Sequence, residues 1–229
     1  MVGLQILDLA ILVRPQVRQP MKTEDYKEYN EHLFERLVSI YDTAALVLIP
    51  IRKRIGILLK EAGSKNILDV ACGTGTQAIS LAEEGFQVTG IDLSTAMLKR
   101  AEMKANKIHK IRFLCEDATQ MRFKDGSFDA TTISFALHDM PHEIRTKVLK
   151  EMERVTKKGG HIIIADYATP SDGFVPKIEH HISNLFESKY YESFMEKGLN
   201  SYLVQAGLKP DAREILMIGI AQIVVCIKN

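Results

Sequence analysis

The chain has 229 residues, 46% of them hydrophobic and 26% charged, which is long and apolar enough for a full buried core and excludes a disordered polymer. Thirty Lys and Arg nearly balance 29 Asp and Glu, so wholesale attraction to nucleic acid or to an anionic membrane is not indicated. Cys72, Cys115 and Cys226 stand far apart with no CxxC pair, a pattern that suits buried free thiols in a reducing compartment better than disulfides or a zinc site.

The first stretch, "MVGLQILDLAILV", is apolar but interrupted by Asp8. It lacks the basic start of a signal peptide and falls short of the ~20 residues of a membrane span. Residues 1–20 are therefore expected to be a flexible extension, ahead of a single cytoplasmic domain over 21–229 without a membrane span. Tyr26, Tyr29, Leu33, Leu37 and Ile40 recur at helical spacing, and a second helical stretch from Thr43 to Ala62 is expected to bend near Pro50 and stop at Gly63. Together these form an expected helical cap over 21–63.

From residue 64 to 167 the pattern alternates. "NILDVA", "QVTGID", "IRFLCED", "SFDATTISFAL" and "HIIIADY" read as strands. Helical stretches run from Gln77 to Glu84 and from Ser94 to Asn106, and a third is expected to start with Pro141 at its first helical position, carry an apolar stripe at Ile144, Val148, Met152 and Val155, and end at Gly159-Gly160. Alternation of this kind predicts an α/β, doubly wound, mostly parallel sheet with helices on both faces. Residues 168–206 read as a helical lid or insertion. "AREILMIGIAQIVVCIKN" then reads as two strands around Gly219, too close together for a crossover helix and so an antiparallel C-terminal hairpin within 207–229. A plain dinucleotide fold does not normally end this way.

Ligands of such sheets sit beyond the carboxyl ends of the strands. There the sequence sets "ACGTGT", whose Gly73 and Gly75 allow close backbone approach, and three acids at three successive strand ends: Asp69, Asp92 and Asp117. A pyrophosphate beside Asp69 would meet a fixed negative charge in a partly dry site, whereas the sulfonium and ammonium of S-adenosylmethionine would be welcomed. Asp92 can accept from two ribose hydroxyls in either case. Asp117 can accept from an adenine amino group while the Ala118 N–H meets the ring. Any one of these acids taken singly also reads as a turn or helix cap.

"ILDVACGTGT", "VTGIDLSTAML", "FLCEDATQMRFKDGSFDATTIS" and "MERVTKKGGHIIIADY" resemble the successive motifs of class I S-adenosylmethionine-dependent methyltransferases, over about Asn66 to Tyr167. "SIYDTAA" and "ALHDMP" are similar to the ubiquinone/menaquinone-type branch. The resemblance implies a seven-stranded Rossmann-like fold, S-adenosyl-L-methionine as cofactor and S-adenosyl-L-homocysteine as product. It implies Gly73 and Gly75 against the methionine moiety, Asp92 on the ribose, Leu93 and Met97 near the adenine, and Asp117 with Ala118 at its edge. Ala71 stands where many members have a glycine. Tyr41 would close over the methionine end, or is a core tyrosine between helices. The expected cofactor-binding set is thus Asp69, Ala71, Gly73, Thr74, Gly75, Asp92, Leu93, Met97, Asp117, Ala118, Phe135 and Tyr41.

Methyl transfer from a sulfonium is an in-line displacement, for which the protein chiefly aligns the reactants and excludes water. In "SFALHDMPHE", His138 is the candidate general base, with packing or capping of the next helix as the plainer role, and Asp139 either orients it or caps. Phe135 and Leu137 shape the pocket. The histidines supply no convergent third ligand, so no metal is expected. The acceptor is expected to be a small apolar or aromatic molecule rather than nucleic acid, and the protein a monomer or homodimer. An NAD-linked oxidoreductase, a binding protein for S-adenosylmethionine without turnover, and a protein or RNA methyltransferase stand as alternatives.

Overall fold

The structure is a computed structural model, and it describes residues 45–169 and 190–229. The expectations for the extension, for most of the helical cap including Tyr41, and for the first part of the lid fall outside the described residues.

The described chain enters through a 3-10 turn, Ala45–Leu48, and helix α1, Ile49–Glu61. Pro50 lies in the first turn of α1, where its missing N–H costs nothing, so it starts this helix instead of bending one. β1 (Asn66–Val70), α2 (Thr76–Glu83), β2 (Gln87–Asp92), α3 (Thr95–Lys104) and β3 (Ile111–Cys115) follow. Then come β4 (Phe128–Ser134), a 3-10 turn at Leu137–Asp139, α4 (His142–Val155) and β5 (Thr156–Tyr167). α5 (Tyr191–Ala206) leads into β6 (Pro210–Leu216) and β7 (Ala221–Ile227).

The seven strands run in the order β3-β2-β1-β4-β5-β7-β6. The first five pair in parallel, and β7 lies antiparallel between β5 and β6. The doubly wound sheet with its reversed hairpin is therefore as expected. Two boundaries moved: Pro141 caps α4 from outside, and Gly159-Gly160 lie inside a 12-residue β5 that starts directly at the end of α4. The thiols are free, but Cys115 is exposed on edge strand β3, against the expectation of burial; Cys72 is half-buried and Cys226 buried.

Each face of the sheet carries its own apolar layer. Leu68, Val70, Ile162 and Ile164 pack with α4 and α5. Ile67, Val88, Ile163 and Val225 point the other way, against α1 and α2. This is the period-2 alternation of a strand buried on both sides. Strand order reverses between β1 and β4, which opens a crevice at their carboxyl ends. Around that crevice the backbone departs from ordinary conformations, with φ positive at Ala71, Gly73, Gly75 and Phe135.

Candidate active site

β1 delivers Asp69 to the rim of the crevice in a buried position, 1% exposed. Its Oδ1 accepts the Thr132 hydroxyl of β4 at 2.8 Å, and its Oδ2 is buried with no hydrogen-bond partner. Burial pushes its pKa up to about 7, while Thr132, Arg52 and the Ala78 amide pull the other way. In the first turn of α2, Gln77 is 5% exposed with both side-chain amide atoms also unpartnered. Buried polar groups are nearly always paired in folded proteins. Two such groups beside one loop point to a polar or charged ligand there.

Asp92 closes β2 and binds the loop itself. Its Oδ2 accepts the Gly73 N–H at 2.8 Å and its Oδ1 the Ser94 N–H at 2.9 Å. Burial raises its pKa, opposed by the Ser94 and Gly73 amides. Each carboxylate oxygen keeps a further lone pair for a ligand hydroxyl. Ser94 caps α3 through the Met97 N–H, and the Met97 side chain lies in the core at 2% exposure, with Leu93 half-buried at the rim. Asp117 sits two residues beyond β3, where its Oδ1 accepts the Thr119 N–H and hydroxyl at 2.9 and 2.7 Å. It therefore does shape a turn, which presents the half-buried Ala118.

Within the loop, Thr74 is 1% exposed and its hydroxyl is engaged with Thr76 and with Lys104 of α3. Gly75 has φ +74, and a Cβ there would come within 2.8 Å of Ala101 and the Phe113 ring, so this glycine lets α2 close onto α3 and β3. Ala71 holds φ +52, a left-handed conformation in which an alanine is strained.

On the other side of the switch point, β4 ends in a tight turn. Phe135, at φ +50, donates its N–H to the Ala165 carbonyl and meets Tyr167 edge-on at 5.5 Å. His138 is 3% exposed, with Nδ1 2.7 Å from Asp166 Oδ1 and Nε2 3.4 Å from Asp139 Oδ2. Asp166, fully buried on β5, also accepts the Leu137 and His138 amides through Oδ2. Asp166 therefore orients His138, and Asp139 flanks its other nitrogen. Tyr167 packs edge-on against the imidazole at 4.8 Å.

Three residues that matter here were not singled out from the sequence. Asp166 was findable, since "HIIIADY" ends in an acid as the first three strands do. Gln77 was half-visible as a polar residue on the sheet-facing side of α2, with Ala78 and Leu81. Arg145 carried no signal beside the apolar stripe. The described residues contain no group of three His, Cys, Asp or Glu able to hold a metal, and no helix long and apolar enough to cross a membrane.

Residues 67–160 match the family model of a methyltransferase domain. That stretch is a methyltransferase domain. This methyltransferase domain is 42% identical to the demethylmenaquinone methyltransferase of Beutenbergia cavernae over 106 residues, 46% of this chain and 42% of that protein. It is 35% identical to the demethylmenaquinone methyltransferase of Listeria welshimeri over 159 residues, 65% of this chain and 66% of that one. The matches thus span less than two thirds of these relatives' length. Magnesium protoporphyrin IX methyltransferase from Synechocystis, solved with bound SAH, shares the fold at a TM-score of 0.64, covering 89% of this chain and all of that chain at 17% identity.

Proposed function

We propose that this chain transfers a methyl group from S-adenosyl-L-methionine to a small apolar or aromatic acceptor of the quinone type. The observation that carries the reading is the unpartnered, buried Oδ2 of Asp69 beside the glycine loop. A cation bound there would gain a partner and relieve an uncompensated polar atom, whereas a pyrophosphate would add negative charge to a carboxylate already strained by burial. The likeness to demethylmenaquinone methyltransferases supports the acceptor class.

In this reading Asp69, with Gln77 beside it, takes the cationic methionine end, and Ala71, Gly73, Thr74 and Gly75 line it with backbone. Asp92 accepts from the ribose hydroxyls, Asp117 and Ala118 meet the adenine edge, and Leu93 and Met97 back the base. The cofactor, when bound, supplies a methyl group activated by a positively charged sulfur. The protein's remaining work is to hold the acceptor in line behind that methyl and to keep water out. Phe135 and Tyr167 would form the apolar wall on the β4–β5 side. Transfer to a ring carbon releases a proton, which His138 would accept at Nε2 while Asp166 holds the other ring nitrogen and stabilises the imidazolium.

The test is incubation of the purified chain with methyl-labelled S-adenosylmethionine and demethylmenaquinone, followed by extraction of the lipid. Label in the quinone supports the reading. Thermal protection by NADH and none by S-adenosylhomocysteine would overturn it in favour of an oxidoreductase. Tight cofactor binding with no label in quinone, protein or RNA would make the chain a binding module.

A further inference from the structure

Arg145 is the largest fully buried side chain of the described residues, and the hydrogen-bond partners the structure gives it are all carbonyls and hydroxyls. Its Nε donates to the Leu137 carbonyl at 2.8 Å, and its Nη2 donates to the carbonyls of His138 at 3.1 Å and Tyr190 at 2.7 Å. Its Nη1 reaches the hydroxyls of Tyr202 at 2.5 Å and Ser193 at 3.2 Å. The guanidinium also lies over the rings of Phe194 and Tyr202, 5.2 and 5.0 Å from their centroids. One planar fork of donors thus ties the His138 turn to the head of α5.

A buried guanidinium without a hydrogen-bonded carboxylate is a costly way to fill space, and an apolar side chain would do that more cheaply. What the guanidinium supplies and an apolar residue cannot is several donors at fixed angles. Two of them seize consecutive carbonyls of the 3-10 turn that carries the imidazole. We infer that Arg145 is the positioning residue of His138, bolting its turn to α5 so that the ring keeps its alignment with Asp166. The significance of this rests on the role proposed for His138, but the geometry does not.

Among the described residues, the charged and titratable groups facing His138 include Asp166 and Tyr167 from β5, Asp139 from its own turn, Tyr191 from α5 and Arg145 from α4. Exchange of Arg145 for lysine keeps the positive charge and removes the fork, so a change in His138 would report geometry and not net charge.

The experiment is an NMR titration of the His138 ring in the full chain, with and without Arg145→Lys, assigned with His138→Gln. The expected result is a midpoint displaced downward by about half a unit or more, because the imidazolium loses alignment with its carboxylate, and loss of the low-field Nδ1 proton shared with Asp166. Turnover should fall roughly tenfold with the KM for S-adenosylmethionine unchanged. An unaltered midpoint with the Nδ1 proton still present overturns the inference. Where Arg145→Lys does not fold, Ser193→Ala/Tyr202→Phe removes both hydroxyl partners of Nη1; a displacement in the same direction supports the inference and none overturns it. Full activity in His138→Gln would sink the proposed base while leaving the titration result to stand by itself.

Discussion

Asp69→Asn separates the stability of this protein from its ligand binding, and the two should move in opposite directions. In the folded chain burial lifts the carboxyl from 3.8 to about 7. A pKa raised on folding contributes stability that is complete below the unfolded value and disappears as pH climbs to the folded one. Between pH 5 and pH 7 the native state holds a proton that the unfolded chain has already lost. Two pH units at about 1.4 kcal/mol each give a loss of roughly 3 kcal/mol in wild type, levelling off as pH passes the folded value. Asparagine keeps an acceptor for Thr132 and does not titrate. Its amide is a new buried donor pair, costing about 1–3 kcal/mol, but that cost is the same at both pH values and cancels. Urea unfolding of both proteins at pH 5 and pH 8 should therefore show the variant gaining roughly 3 kcal/mol on wild type across the window. Calorimetry at pH 8 should show its affinity for S-adenosylmethionine lowered by roughly tenfold or more, since a cation loses its counter-charge. A stability difference flat with pH would mean the carboxylate sits ionised and solvated, and the case for a cationic ligand there would fail.

Gly75→Ala should destabilise the fold by about 3 kcal/mol, summing a left-handed alanine with overpacking against Ala101 and Phe113, seen as a lower melting temperature with cofactor absent. Asp166→Asn should leave S-adenosylhomocysteine affinity unchanged and reduce methyl transfer by about 10²-fold, because the imidazole loses the carboxylate that fixes and charges it; a rate equal to wild type refutes the His138 pairing. Ile218, a β-branched residue at φ +55 and 93% exposed in the hairpin turn, buries nothing there. Ile218→Asn should raise the urea midpoint by an amount equivalent to about 1 kcal/mol with the slope unchanged.

The sheet was legible because it is written in local chemistry: apolar runs of strand length, helical stripes, and glycines at the turns. Asp69, Asp92 and Asp117 could be proposed as ligand groups because strand ends are places where a parallel sheet leaves room for ligands, and that rule is visible in one dimension. Two features were not. The meeting of Arg145 with Tyr190 and Tyr202 joins residues 45 and 57 positions apart, and nothing near Arg145 distinguishes a buried arginine from a solvated one. The second is the double service of Asp92 and Asp117. Each was weighed as either a ligand group or a turn residue; Asp92 anchors the Gly73 amide of the glycine loop and the Ser94 amide of its own turn, and Asp117 the Thr119 amide, which the sequence could not rank against ligand contact.

The reversed strand has a consequence for how the molecule is made. β7 is the last of the seven strands to be synthesised, yet it is threaded between β5 and β6 and buried along all but its final residue. Until it leaves the ribosome, β5 shows a raw edge and β6 has no neighbour to hold it. Without β7 both β5 and β6 would present unpaired backbone, so the pairing of this one strand decides whether that side of the sheet is closed or open to edge-to-edge association.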